Sequence, residues 1–264
     1  MSKAEYLETA LKAAVSAGNL IEERHKDILN VSRKESLRDI VTHVDKLAEN
    51  QIIDILKDYD KNIPILTEES GLVQGKTEKT YWIVDALDGT VNYVNHIPFY
   101  AVSIALFDKN KITVGVIFNP YSNELYYGSD GLGVFKNQKP LKIIDRVPEE
   151  CLFSMAFSGK NYEATKRVDE FLLFGKINDS SRGCLRTGSA AMNLAYLAEG
   201  KFGGCLGKAN KIWDVAAGLL LAKLAGSNVQ FKEVDKEKNL VNYIATIPKA
   251  WNLISSNIRG IYQV

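Results

Sequence analysis

The residues best suited to chemistry in this sequence are carboxylates placed at the ends of apolar runs. Tyr81-Trp82-Ile83-Val84 leads straight into Asp85-Ala86-Leu87-Asp88-Gly89-Thr90, a D-x-x-D-G-T pattern. Two carboxylates three apart in a tight turn can converge on one point. Gly89 lets the backbone approach a ligand closely, and Thr90 adds a hydroxyl and an N–H at a possible helix start. An all-oxygen donor set suits a hard divalent cation, Mg²⁺ above all. The same pattern also describes an Asx turn followed by a helix cap. Glu68 and Glu69 follow the apolar run Asn62 to Leu66, where adjacent glutamates are commonly solvated surface. Asp39, Thr42 and Asp45 lie in R-D-I-V-T-H-V-D, where a capping or macrodipole role is the competing reading. Asp214, in K-I-W-D-V-A-A-G, taken alone is a helix cap.

The elements that must hold these residues follow from periodicity. Apolar positions at Leu7, Leu11, Ala14, Val15, Gly18 and Ile21 give a helix over residues 3 to 25, and a second runs from Val41 to Asp58. Strands are expected at Asn62 to Leu66, Thr80 to Asp85, Tyr100 to Phe107 and Lys111 to Pro120, with a hairpin turn at Asp108-Lys109-Asn110. Leu125 to Gly128 and Gly133 to Lys136 continue the sheet. The second half alternates strands near Leu152 to Phe157, Phe202 to Leu206, Asn228 to Lys232 and Tyr243 to Ala245 with helices at Tyr162 to Phe174, Thr187 to Glu199 and Asp214 to Ala225. The expected organisation is an N-terminal α+β subdomain, 1–147, carrying most of the acids, and a C-terminal α/β subdomain, 148–264, meeting it at a cleft.

Composition excludes several classes. The 264 residues are 46% hydrophobic and 25% charged, with 33 Lys+Arg against 32 Asp+Glu. That balance gives no basic field for a nucleic-acid polymer. No apolar run approaches the roughly 20 residues of a membrane helix, and the N-terminus reads as an amphipathic helix rather than a signal peptide. Three scattered cysteines and three histidines argue against a zinc ribbon or multi-histidine centre and favour a reduced, cytoplasmic compartment.

Taken together, D-x-V-T-x-x-D, E-E, W-I-V-D-x-L-D-G-T-x-N-Y, R-T-G-S-A-A and W-D-x-A-A-G, in this order, resemble the inositol monophosphatase family over nearly the whole chain. The resemblance implies an α/β (α+β) fold, a layered α-β-α-β-α sandwich, commonly a homodimer. It implies a lithium-sensitive, Mg²⁺-dependent phosphatase that hydrolyses a small phosphate monoester by attack of metal-activated water. It places Glu68, Asp85 and the Leu87 carbonyl on one Mg²⁺ and Asp85, Asp88 and Asp214 on a second. Glu69 supports a third, and Asp45 braces the loop. Glu68 and Thr90 orient and deprotonate the water, with Asp39 as the partner of the Thr90 hydroxyl. The N–H groups of Gly89 and Thr90 hold the phosphate. Asp88, Gly188, Ser189, Ala190, Gly207 and Lys208 face the rest of the substrate, with Ser158 a weaker match. Lys34 falls where the family often has a lysine, and Arg186 reads as structural. Ala86 stands where the family usually has proline, which loosens the turn but removes no ligand.

The inositol-specific members carry a glutamate seven residues before the W-D aspartate, and that position here is Gly207. With Lys208 and Lys211 nearby, the expected preference shifts from inositol 1-phosphate to a substrate with a second anionic group. Fructose 1,6-bisphosphate and 3′-phosphoadenosine 5′-phosphate are alternatives on the same scaffold, and a non-catalytic metal-binding or regulatory module is the alternative of another class.

Overall fold

The computed structural model describes residues 2–25, 31–33, 40–77, 79–158 and 164–257. In chain order the first half contains α1 (Lys3–Arg24), β1 (Val31–Arg33), β2 (Ile40–Thr42), α2 (His43–Tyr59), β3 (Ile65–Thr67), β4 (Gly71–Val73), β5 (Thr80–Asp88), α3 (Thr90–Val94), β6 (Ala101–Asp108), β7 (Lys111–Asn119), β8 (Glu124–Ser129), β9 (Gly133–Lys136) and β10 (Lys139–Pro140). The second contains β11 (Leu152–Ala156), α4 (Ala164–Asp179), β12 (Gly183–Leu185), α5 (Ala190–Ala198), β13 (Phe202–Lys211), α6 (Ile212–Ala225), β14 (Asn228–Asp235), β15 (Leu240–Thr246) and α7 (Trp251–Asn257).

Eight strands form one sheet in the order β10-β9-β8-β7-β6-β5-β3-β4, and five form a second in the order β12-β11-β13-β15-β14. Burial sorts the helices into layers. Ala10, Ala14, Ala17 and Ile21 of α1 and Ala48, Ile52 and Leu56 of α2 pack with Trp82, Val84, Ile104 and Val116 on one face of the larger sheet. Its other face, with Ile83, Ala105 and Ile117, packs on Ala191 and Ala195 of α5 and on Ala216, Ala217 and Leu221 of α6. Other sides of those two helices, through Leu194, Leu197, Val215 and Leu219, share a core with the smaller sheet, which α4 joins through Leu173 and Ile177 and α7 through Ile254. The result is an α-β-α-β-α sandwich in which α5 and α6 form the shared central layer. α6 is apolar nearly all round, as a helix buried on two sides must be.

The β6–β7 turn has positive φ at Lys109 (49°) and Asn110 (69°), the hairpin geometry whose twist matches its strands. The sequence reading missed β1, β2, β4, β10, β12 and α7, because elements of two to seven residues are too short to establish a period. β4 is held by pairing with β3, and β12 by parallel pairing with β11. The strand expected at Asn62 to Leu66 is instead Ile65–Thr67. Among the described residues no helix is long and apolar enough to cross a membrane.

Candidate metal centre

β5 delivers two of the acids. Residues three apart on a regular strand face opposite sides. Here Asp85 pairs with Ser103 and Asp88 with Ala101, so a bulge accommodates one extra residue of β5 between them. Ser103 and Ala101 are two apart and share a face, and the bulge therefore turns Asp85 and Asp88 toward the same side. Glu68 joins them through register: Thr67 of β3 pairs in parallel with Val84, so the turn after β3 begins beside Asp85. Asp214 lies in the first turn of α6. The Ser103 hydroxyl, opposite Asp85, donates to the Trp213 carbonyl at 3.0 Å and fixes the start of α6 at the same place. Carboxylate oxygens of Glu68, Asp85 and Asp214 all lie within 4.8 Å of one another.

The electrostatics show what this convergence costs. Burial, then the charges of Glu68, Asp88 and Asp214, raise the Asp85 carboxyl well above the usual carboxylate range. Burial, then Asp88 and Glu68, do the same to Asp214, with Lys211 opposing. Burial pushes Asp88 up to about 6, against the lowering effect of its hydrogen bonds from Ser189 and Ala191. Like charges packed out of water stay ionised only beside a compensating cation. Oxygen-only donors in this state fit a hard divalent ion.

The rest of the D-x-x-D-G-T turn is tied down locally. The Leu87 N–H donates to Asp85 Oδ1 at 2.9 Å, so the Asx-turn reading and the clustering of acids hold together. Gly89 has φ 92°, and a Cβ there would lie 3.0 Å from the Phe99 carbonyl and 3.3 Å from Ser189 Cβ, so both conformation and space call for glycine. The Thr90 hydroxyl lies 3.1 Å from Asp45 Oδ1 and 3.0 Å from the Leu87 carbonyl. Asp45 is 5% exposed, in the first turn of α2.

Asp39 and Lys34 lie outside the described residues. Asp45, expected to brace the loop, meets the Thr90 hydroxyl. Glu69 is not part of the triad of converging oxygens. Its N–H and that of Ser70 donate to Glu49 Oε2 and Oε1, each at 2.9 Å. The Ser189 hydroxyl, expected to face the substrate, is already engaged. It donates to Asp88 Oδ2, which also accepts from the Ala191 N–H at 2.8 Å, and it caps α5. Gly188 adjoins this cap, and Ala190 is buried. Ser158 is likewise engaged, donating through its N–H at 3.1 Å and its hydroxyl at 2.5 Å to the buried Glu170 of α4. Gly207 and Lys208 lie at a bulge in the β13–β15 pairing. A Cβ at Gly207 would meet Asn210 Oδ1 at 2.1 Å and the Tyr243 ring at 2.2 Å, and Lys208 is only 7% exposed. Arg186 is exposed.

Sequence reasoning missed Glu49, Asn92 and Ser103. Glu49 carried a signal: with Asp45 it forms an i, i+4 pair of acids beside the apolar stripe of α2. Asn92 Nδ2 donates to the carbonyls of Phe99 (2.7 Å) and Thr187 (3.0 Å), which binds the loop before α5 to the D-G-T turn. Glu49→Ala removes the acceptor of the Glu69 N–H and leaves the Ser70 N–H only the Thr67 hydroxyl at 3.2 Å, and is expected to destabilise the protein by about 1–3 kcal/mol, read as a lowered melting temperature. An unchanged melt would show that water replaces the carboxylate.

A sequence profile described as the inositol monophosphatase family matches residues 2–244. Nus factor SuhB of Escherichia coli is 34% identical over 257 residues, 96% of this chain and 95% of that protein. An inositol-1-monophosphatase of Mesorhizobium japonicum is 34% identical over 235 residues, covering 87% and 86% of the two chains. Among solved structures, the extragenic suppressor protein suhB of Bartonella henselae superposes with a TM-score of 0.88 at 30% identity, covering 97% of this chain and 99% of that one. Inositol monophosphatase of Anabaena gives 0.84 at 28% identity, covering 97% and 96%.

Proposed function

The chain belongs to the inositol monophosphatase family, and from that premise we propose that it is a Mg²⁺-dependent phosphatase acting on a small phosphate monoester. The observation that carries this reading is the convergence of Glu68, Asp85 and Asp214 within 4.8 Å, beside the hydrogen-bonded pair Thr90–Asp45. Glu68, Asp85 and Asp214 would hold a cation, with Asp88 and the Leu87 carbonyl as further donors in this reading. Bound there, Mg²⁺ would neutralise phosphate charge and acidify water. The chain's own part is to orient and to move protons. Thr90, polarised by Asp45, passes its hydroxyl proton toward that carboxylate and accepts one in turn, and Glu68 steadies the water from the opposite turn. The N–H groups of Gly89 and Thr90 face the phosphate in this reading. A covalent route through cysteine finds no support: all three cysteines are buried, and burial pushes the Cys184 and Cys205 thiols up to about 12.

The test is phosphate release with and without Mg²⁺, followed by a Li⁺ titration. Activity only with Mg²⁺, and inhibited by Li⁺, is expected. No release from any sugar, inositol or nucleotide phosphate would favour the second reading, a regulatory module on the same scaffold. The name Nus factor carried by the E. coli relative lends that reading its support.

For the substrate, we infer a preference for a sugar bisphosphate over inositol 1-phosphate. No carboxylate stands at Gly207, and Asn210 and Tyr243 fill the space a side chain there would need. A buried hydroxyl left without its acceptor costs about 1–3 kcal/mol, or ~5- to 150-fold in discrimination. Lys208 is proposed to meet the second anion. The Lys211 ammonium donates to the Lys238 carbonyl at 3.0 Å. The expected result is a higher kcat/KM for the bisphosphate, narrowed in Lys208→Ala. A tenfold advantage for inositol 1-phosphate would overturn it.

A further inference from the structure

Two of the three histidines of this chain meet at a place the proposed chemistry does not use. His25 is the C-cap of α1. His96 follows α3 in a turn, with φ 57°. His25 Nε2 and His96 Nδ1 are 3.2 Å apart at an exposed position. That separation is at the upper end of the hydrogen-bond range. It is close to the edge of a zinc tetrahedron, about 3.3 Å for Zn–N bonds of 2.0–2.1 Å. The His25 ring is oriented by its surroundings. It stacks on Tyr93 at 4.8 Å between centroids and meets Tyr100 edge-on. Tyr93 is fully buried, and its hydroxyl donates to the Ile21 carbonyl at 3.0 Å. Tyr100 donates to Glu22 at 2.5 Å, one turn before His25.

We propose that His25 and His96 form a binding site for a divalent cation of the zinc class, separate from the acidic cluster, with water completing the coordination. Imidazole pairs suit Zn²⁺, whereas carboxylates suit Mg²⁺, so the two sites sort the two ions. Each ring binds as the neutral tautomer, His25 with its proton on Nδ1 and His96 with its proton on Nε2. Two separate elements present the nitrogens, so part of the ordering cost of chelation is already met. The three cysteines are buried and do not compete for the ion. Occupancy joins the end of α1 to the turn after α3, the helix that begins at Thr90.

The test is calorimetric titration of the full-length protein with Zn²⁺ in saturating Mg²⁺, for wild type, His25→Gln, His96→Asn and His43→Ala. Asparagine tolerates the positive φ at position 96. His43 is exposed at the start of α2 and serves as the control. One Zn²⁺ site that Mg²⁺ does not displace is expected, weakened at least about tenfold in each of the first two variants and unchanged in His43→Ala. Independently of any variant, the imidazole NMR signals of His25 and His96 in wild type should shift on adding Zn²⁺, while those of His43 stay in place. Absence of a Mg²⁺-resistant site, equal affinity in His25→Gln and His96→Asn, or unmoved imidazole signals would overturn the proposal.

Discussion

Asp85→Asn is expected to lower phosphate release by about 10³-fold while raising the melting temperature of the metal-free protein. The first effect follows from the place of Asp85 in the proposed centre. Losing one anionic donor forfeits several kcal/mol of charge stabilisation, and each 1.4 kcal/mol or so is tenfold in rate. The second follows from repulsion, since Asp85 carries the charges of Glu68, Asp88 and Asp214 against it in a buried position. Asparagine keeps the shape and can still accept from the Leu87 N–H, so the turn survives.

The same repulsion sets a pH dependence. A carboxyl whose pKa is raised by folding keeps its proton in the native state where the unfolded chain has released it. Stability is then present below the unfolded pKa and is lost as pH rises through the folded one. For Asp88 that window runs from 3.8 to about 6, and Asp85 and Asp214 extend it upward. The metal-free protein should therefore melt at falling temperature as pH rises from about 4 past 6. Mg²⁺ should restore the loss by binding only the native state, and Asp85→Asn should flatten the slope. Near-wild-type turnover in Asp85→Asn, or a metal-free melt that does not respond to pH, would remove the centre proposed here.

Much of this site was legible in the sequence because strand ends and tight turns are local. Asp85, Asp88, Gly89 and Thr90 fall within six residues, and the apolar run before them announces a buried strand. What was not legible depends on pairing and register. The bulge that turns Asp85 and Asp88 to one side exists only against β6, and the contact of Ser103 with Trp213 joins residues 110 apart in sequence. The Gly207–Lys208 bulge depends on β15 in the same way, which is why a lysine that reads as surface is buried. Ser189 sits in a loop whose motif matches a substrate contact, yet its hydroxyl serves Asp88 and the cap of α5. The layers, by contrast, followed from periodicity, because long amphipathic helices and alternating strands declare which face is buried.

The place of Asp45 beside Thr90 turns on a helix boundary. The sequence places the start of the second helix at Val41, whereas β2 runs through Thr42 and α2 begins at His43. Asp45 then lies in the first turn, 3.1 Å from the Thr90 hydroxyl. In the proposed mechanism this carboxylate receives the proton that Thr90 passes on, so Asp45→Asn should lower kcat by about 10²–10⁴-fold, the usual worth of a positioned acid–base group. KM should change little, because neither group is asked to bind the organic part of the substrate. Thr90→Ala should cost a similar factor. The double variant should fall far short of the product of the two losses, because groups that act as one unit are not additive. Asp39→Asn is the comparison, expected to stay within about tenfold of wild type since Thr90 retains its partner. Multiplicative losses in the double variant would separate Asp45 from Thr90. A collapse of kcat in Asp39→Asn with Asp45→Asn active would return the role to Asp39.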